Sequence, residues 1–360
     1  MKTTTNLIRL FAVLTMFLLL GAMAFAADKY RVQEILPASD ASMTPHGLNS
    51  NGDAVGGAGL SHGGDIRVFI SMRGATAKEL QRATASSYAE AKSINDAGLV
   101  AGAMNGREVM HAFVWSQSGG LRDIGTLPGD SASEAFSVNA AGWVAGSSSG
   151  ANGTHAVLWN SQFQPSDIGG LAGASESQAF AVNDNNDVVG SSGMGDSVHA
   201  FLRSQSGNIT DLGTLAGDSS SQAFALNKNG QVVGISTSGN GSRAFLWSQE
   251  NGMQNLGGLN GGSYSAAMGI NDAGEVVGSS SSNLGLRAFL WDSTNGMRDL
   301  NTLIPGNSNL VLTGAVAINN SGQILAVGSR QHDLANDREA NMDNDHHSGA
   351  TRAYLLTPIK

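Results

Sequence analysis

Three groups of side chains have the types and spacing for chemistry. Glu90 and Glu134 hold the same place in two successive copies of a repeated segment, and Gln178 and Gln222 hold it in the next two. Two carboxylates on neighbouring strands suit an acid/base pair, one giving and one taking a proton. The place falls to Ala266 and Gly314 further along, which favours ordinary hydrogen bonding instead. His111, His155 and His199 recur 44 residues apart, with Arg67, Arg243, Arg287 and Arg352 at the corresponding points of other copies. A circle of basic groups would attract an anion, and three imidazoles are a metal-ligand set. The third group is Asp343, Asp345, His346 and His347, inside SRQHDLANDREANMDNDHHSGAT at 329–351. Carboxylates beside imidazoles suit a divalent cation, although the spacing is not that of an EF-hand loop. The plainer reading is a solvated acidic loop. No cofactor is otherwise implied. Phosphate-loop and HExxH motifs are absent from the sequence.

The elements that position these groups come from an internal repeat. Aligning on one Asn gives seven copies, at Asn49, Asn95, Asn139, Asn183, Asn227, Asn271 and Asn319, spaced by 46, 44, 44, 44, 44 and 48 residues. Self-similarity at that period marks a propeller or a solenoid. Ile270 to Trp291, INDAGEVVGSSSSNLGLRAFLW, is a clean copy. A first strand ends at the Asn, and a tight turn closes on Gly, or on Asn186 in the fourth copy, both of which accept a left-handed backbone. A Val-Val-Gly strand, a Ser/Gly/Asn loop, an Ala-Phe-Leu-Trp strand and an Asp-Leu-Gly strand follow. The Trp of the third strand reads as packing, and Asp130 and Asp218 in the connectors read as turn formers.

Four short antiparallel strands per copy make a blade, and the expected fold is an all-β, seven-bladed β-propeller. Small residues on one face of the first strand (Ser133, Ala135 and Ser137; Ser177, Ala179 and Ala181) suggest a crowded position near the axis. The chain begins its repeats with YRVQEI from Tyr30, which matches a fourth strand, and ends with a third strand at Arg352–Leu356. Strand 30–36 should therefore complete the last blade and seal both edges, as closed all-β folds require. Blades diverge outward, so the His and Arg of the third strands should pair with nearby acids rather than share an ion.

Residues 1–26 read as a signal peptide: Lys2 and Arg9, an apolar run from Leu10 to Phe25, then Ala24-Phe25-Ala26 for cleavage. Residues 27–360 are then one propeller domain with an insertion at 329–351, secreted to the periplasm or beyond the cell, with no membrane span after cleavage. Loss of Lys2 and Arg9 takes the formal charge from −9 to −11, which argues against a nucleic-acid partner. There is no Cys, which excludes disulfides and thiol chemistry. Only 14% of residues are charged while Gly reaches 48, as in a protein of short strands and tight turns.

The Ile-Asn-x-x-Gly-x-Val-Val-Gly, His-Ala-Phe-x-Trp and Asp-Leu-Gly-Thr-Leu elements resemble the HAF-repeat family of probable extracellular bacterial repeat proteins. His111-Ala112-Phe113 and His199-Ala200-Phe201 carry the resemblance directly, and it spans about residues 30–356. It implies export and repetition and transfers no catalytic residue. The functional expectation is a monomeric, non-catalytic scaffold binding a protein or glycan. An enzyme with its site in the central channel or at 329–351, and an inert matrix or envelope protein, are the alternatives. The insertion breaks the symmetry most visibly, so attention falls there.

Overall fold

A computed structural model describes residues 29–37, 41–59, 66–80, 88–105, 109–194, 197–330 and 351–359. Seven four-stranded antiparallel sheets stand around a common axis, which is the seven-bladed β-propeller expected from the repeat. The innermost strands are Ser42–Leu48, Ala89–Ile94, Asp130–Val138, Glu176–Val182, Ser220–Leu226, Ser265–Ile270 and Leu310–Ile318, here blades one to seven in that order. The first strand of the chain, Tyr30–Ile35, pairs with the third strand of blade seven, Arg352–Pro358, from Tyr30 opposite Pro358 to Ile35 opposite Ala353. It is the outer strand of that blade. Ile35 is buried among Met43, Ala54 and Phe69 of blade one and Leu325 and Leu355 of blade seven, so one strand ties the two ends of the ring. Glu34 adds bonds to Arg330 at 2.6 Å and Arg352 at 2.8 Å. Burial works against its charge, but the two guanidiniums hold its carboxyl below the usual range.

The repeated Asn does more than start a turn. Its side-chain oxygen accepts from backbone N–H groups two and four residues on, as Asn95 does from Ala97 and Leu99. Its amide nitrogen donates to the backbone carbonyl of the next blade's Asn, around the entire circle: Asn49 to Asn95, Asn95 to Asn139, and onward to Asn319, which donates to Asn49. Seven buried amides thus form a closed ring of hydrogen bonds that exists only if the chain closes. The turn closes in the left-handed region, at φ 62° for Asn186 where other copies have Gly.

Each innermost strand carries a β-bulge three residues before its Asn, as between Ala135 and Ser137. The bulge aims the preceding carbonyl at the second strand. A Cβ on Gly56, Gly102, Gly146, Gly190, Gly234 or Gly278 would collide with that oxygen, which is why the second strand reads Val-Val-Gly. Blade seven has Ala326 there and a second bulge beside Gly314 instead.

The small face of the first strand is corrected by the same bulge. Ser133 and Ala135 do not line the axis; they press on the preceding blade. Ser133 Oγ accepts from Ala112 N–H and donates to the Gly125 carbonyl, and Ser177, Ser221 and Ser265 accept in the same way from Ala156, Ala200 and Ala244. Beyond the bulge the faces exchange. Val138 joins Ala135 in the core between blades, while Ser137 turns to the following blade and accepts from Val182 N–H. The third strands are apolar on both faces. Phe113 packs toward blade one, and Ala112 and Val114 toward blade three.

Candidate functional site

The channel is built by two layers of side chains on the innermost strands. The layer five residues before each Asn holds Thr44, Glu90, Glu134, Gln178, Gln222, Ala266 and Gly314 in blade order. The bulge layer, three before each Asn, holds His46, Lys92, Phe136, Phe180, Phe224, Met268 and Val316. At the turn end, residues around the Asn of all seven blades outline a cavity of about 230 Å³.

Blades one and two make the polar side. Glu90 is the hub, its side chain only 9% exposed. It accepts from Thr44 Oγ1 at 3.0 Å, His46 Nε2 at 2.6 Å, Tyr88 Oη at 2.6 Å and Lys92 Nζ at 2.6 Å. Burial alone would raise its pKa, but the bonds from His46, Lys92 and Tyr88 push it far below the usual carboxylate range. The same burial, with Glu90 beside it, pushes the Tyr88 hydroxyl well up. An ionised Glu90 only accepts, so the proton it shares with His46 belongs to Nε2. Nδ1 then remains as the imidazole's second polar atom, on a side chain 33% exposed. Lys92 Nζ stands 3.4 Å from His46 Nε2 and is 23% exposed.

Blades three to six make the apolar side. Phe136 and Phe180 meet edge to face at 5.5 Å between centroids, and Phe180 and Phe224 at 5.9 Å. All three are half-buried, as is Val316, and Met268 is 39% exposed. An apolar arc of Phe136, Phe180, Phe224 and Met268 thus lies across the channel from His46 and Lys92, while Val316 packs against the core between blades seven and one. Beside it, Glu134, Gln178 and Gln222 are half-buried and make no side-chain bond to any described residue.

The sequence-derived groups separate. Glu90 and Glu134 do lie on neighbouring innermost strands, but Glu90 is saturated with donors and too acidic to accept a proton at neutral pH. The acid/base pair is not what the geometry builds. His111 bonds Asp123 at 2.7 Å, His199 bonds Asp211 at 2.9 Å, and His155 faces Asp167 at 3.6 Å, each inside its own blade. Each imidazole is thus paired with an aspartate of its own blade, and the three are not brought together. Asp343, Asp345, His346 and His347 lie outside the described residues. Among the described residues no three His, Cys, Asp or Glu side chains gather closely enough to hold a metal ion. Asp218 is not only a turn former, since it receives Arg243 at 2.5 Å with its own side chain 1% exposed. Trp159 is fully buried and donates to the Ile124 carbonyl, as packing required.

His46, Lys92, Thr44, Tyr88 and the three Phe were missed in the sequence. The repeat alignment contains the signal, because the column three before the Asn changes from His and Lys to Phe, Met and Val. It escapes notice because His46 and Lys92 sit in divergent early copies, and because only the bulge shows that this column faces the axis.

No family model matches the chain, and no curated protein matches it in sequence. Among solved structures it is similar to a streptogramin B lyase, with 10% identity, TM-score 0.55, and 92% of this chain and 98% of that one covered. A virginiamycin B lyase from Staphylococcus aureus, with quinupristin, gives 9% identity, TM-score 0.55 and coverage of 92% and 100%. An oligogalacturonate lyase in complex with manganese gives 10%, 0.55, and 92% and 97%. At these identities the likeness is one of fold, shared by enzymes of quite different substrates.

Proposed function

We infer that this is an exported, non-catalytic binding propeller whose ligand lies in the central channel against the Phe136–Phe180–Phe224 arc. One observation carries the reading: four adjacent blades turn half-buried or exposed apolar side chains, Phe136, Phe180, Phe224 and Met268, toward the channel, while two blades supply polar groups. A mostly apolar, concave site with a few polar groups is how small ligands are held. Export rests on the signal-like residues 1–26 and on the resemblance to HAF-repeat proteins. Nδ1 of His46, oriented by Glu90 through Nε2, favours a second reading as an enzyme using that imidazole as a base. It lacks the rest of a machinery: no Ser, Cys or Thr hydroxyl or thiol bonds His46 among the described residues.

The test is a titration with N-phenyl-1-naphthylamine, a neutral dye that brightens in apolar sites. The wild type should give one saturable site. Phe180→Asp, which places a charge in the arc, should abolish it while the melting curve stays cooperative. An unchanged titration in the variant would put the binding surface elsewhere.

A further inference from the structure

The charge balance of the channel says what kind of ligand it takes. Its two layers carry Glu90 and Glu134 against Lys92 and the imidazole of His46. Lys92 and Glu90 neutralise each other at 2.6 Å, and Glu90 also accepts hydrogen bonds from His46 Nε2, the Tyr88 hydroxyl and the Thr44 hydroxyl. Glu134 is different. It sits in the next blade at the same level, half-buried, with no hydrogen bond or ion pair to any described residue. Two residues on, in the same strand, Phe136 begins the aromatic arc, and Phe180 and Phe224 continue it at 5.5 and 5.9 Å. Gln178 and Gln222 extend the level of Glu134 with two amides that also bond to no described residue.

Resting on the reading of the channel as a binding site, the geometry points to a small organic cation as the ligand: an ammonium group carried on an apolar or aromatic body. An uncompensated carboxylate attracts the charge. Aromatic rings beside it favour a cation on their faces and desolvate the body it is attached to. The amide oxygens of Gln178 and Gln222 accept from the remaining ammonium protons. An anion would meet the opposite situation, since the one lysine of these layers is already engaged and Glu134 would repel it. The formal charge of the chain, −9, draws cations toward the disc in the same sense.

Three probes that share a phenyl body and differ in the head group decide the matter: phenethylammonium, 2-phenylethanol and 3-phenylpropionate, titrated calorimetrically into the purified protein at neutral pH. Phenethylammonium should bind about tenfold more tightly than the alcohol, and the carboxylate most weakly. Glu134→Gln should weaken the cation by about tenfold and leave the alcohol within about twofold. Phe180→Ser should weaken cation and alcohol together. Added salt should weaken only the cation in the wild type, and not in Glu134→Gln. Tightest binding of 3-phenylpropionate, or a cation affinity untouched by Glu134→Gln, would overturn the inference. Equal binding of all three would leave the channel as an apolar site and remove only its preference for cations. Failure of every probe at millimolar concentration would remove the channel-binding reading itself.

Discussion

Two layers around the axis, three residues apart in each blade, follow opposite rules. In the Asn layer all seven blades carry one residue and make one bond, closing a circle from Asn49 through Asn319 and back. In the bulge layer five residue types appear, with Phe alone repeated, and the circle divides into a polar arc at His46 and Lys92 and an apolar arc from Phe136 to Met268. Both layers surround the same axis, one on the innermost strands and the other at the turns that end them. The first is uniform because ring closure demands equal blade-to-blade geometry. The second is free to vary because a bulge residue has no partner in the strand ladder. Uniformity in this repeat therefore marks the scaffold, and departure from it marks the residues on which the proposed binding rests.

The contrast can be attacked at five points. Deleting residues 30–35 removes the outer strand of blade seven and uncovers the core where Tyr30 and Ile35 are buried. Stability should fall by at least about 4 kcal/mol, from two large side chains at roughly 2 kcal/mol each. A melting curve like that of the wild type would mean that the ring does not depend on its terminal strand. Asn139→Ala cuts the amide ring and uncaps a turn, and chemical denaturation should show a loss of about 2–4 kcal/mol. Phe180→Ser, one layer away, should cost about 1 kcal/mol because its ring is only half-buried. Equal costs for the two would erase the distinction between layers.

Glu90→Gln should cost about 1–3 kcal/mol at pH 7, since it leaves charged and hydroxyl donors poorly matched. Glu90 is depressed in the folded state, so its contribution is complete above the unfolded glutamate pKa of about 4.3 and is lost as pH falls below it. The gap in stability between wild type and variant should narrow from pH 7 to pH 3.5. A gap that widens on acidification would show the sign to be wrong. The smallest effect belongs to His111→Ala, about 0.5 kcal/mol or less, because its pair with Asp123 is solvent-exposed. Loss of a cooperative transition in that variant would give the third-strand imidazoles a role their geometry does not support.

Much of the fold was legible because it is written in local chemistry. The Asn-to-Gly turns, the Val-Val-Gly strands and the Ala-Phe-Leu-Trp strands each need only a few neighbouring residues to be recognised. Their recurrence gives the blade count, and the phase of the two ends gives the closure. The site was less legible. Glu90 and Glu134 were recognised as unusual, yet what separates them is contact: four donors surround one and none of the described residues bonds the other. His111, His155 and His199 looked like a set in sequence, and their placement on outward-diverging strands makes them three separate pairs.

The sequence by itself determined the period, the strand types and the joining of Tyr30–Ile35 to the last blade, since each follows from short-range pattern and the need to leave no open edge. Only the tertiary structure decided which face of the first strand meets the axis. A single bulge exchanges the two faces, moving Val138 into the core between blades and leaving His46, Lys92 and the three Phe around the channel. Alternation along a strand cannot reveal that exchange, because it depends on how the strand pairs with its neighbour and not on the residues it contains.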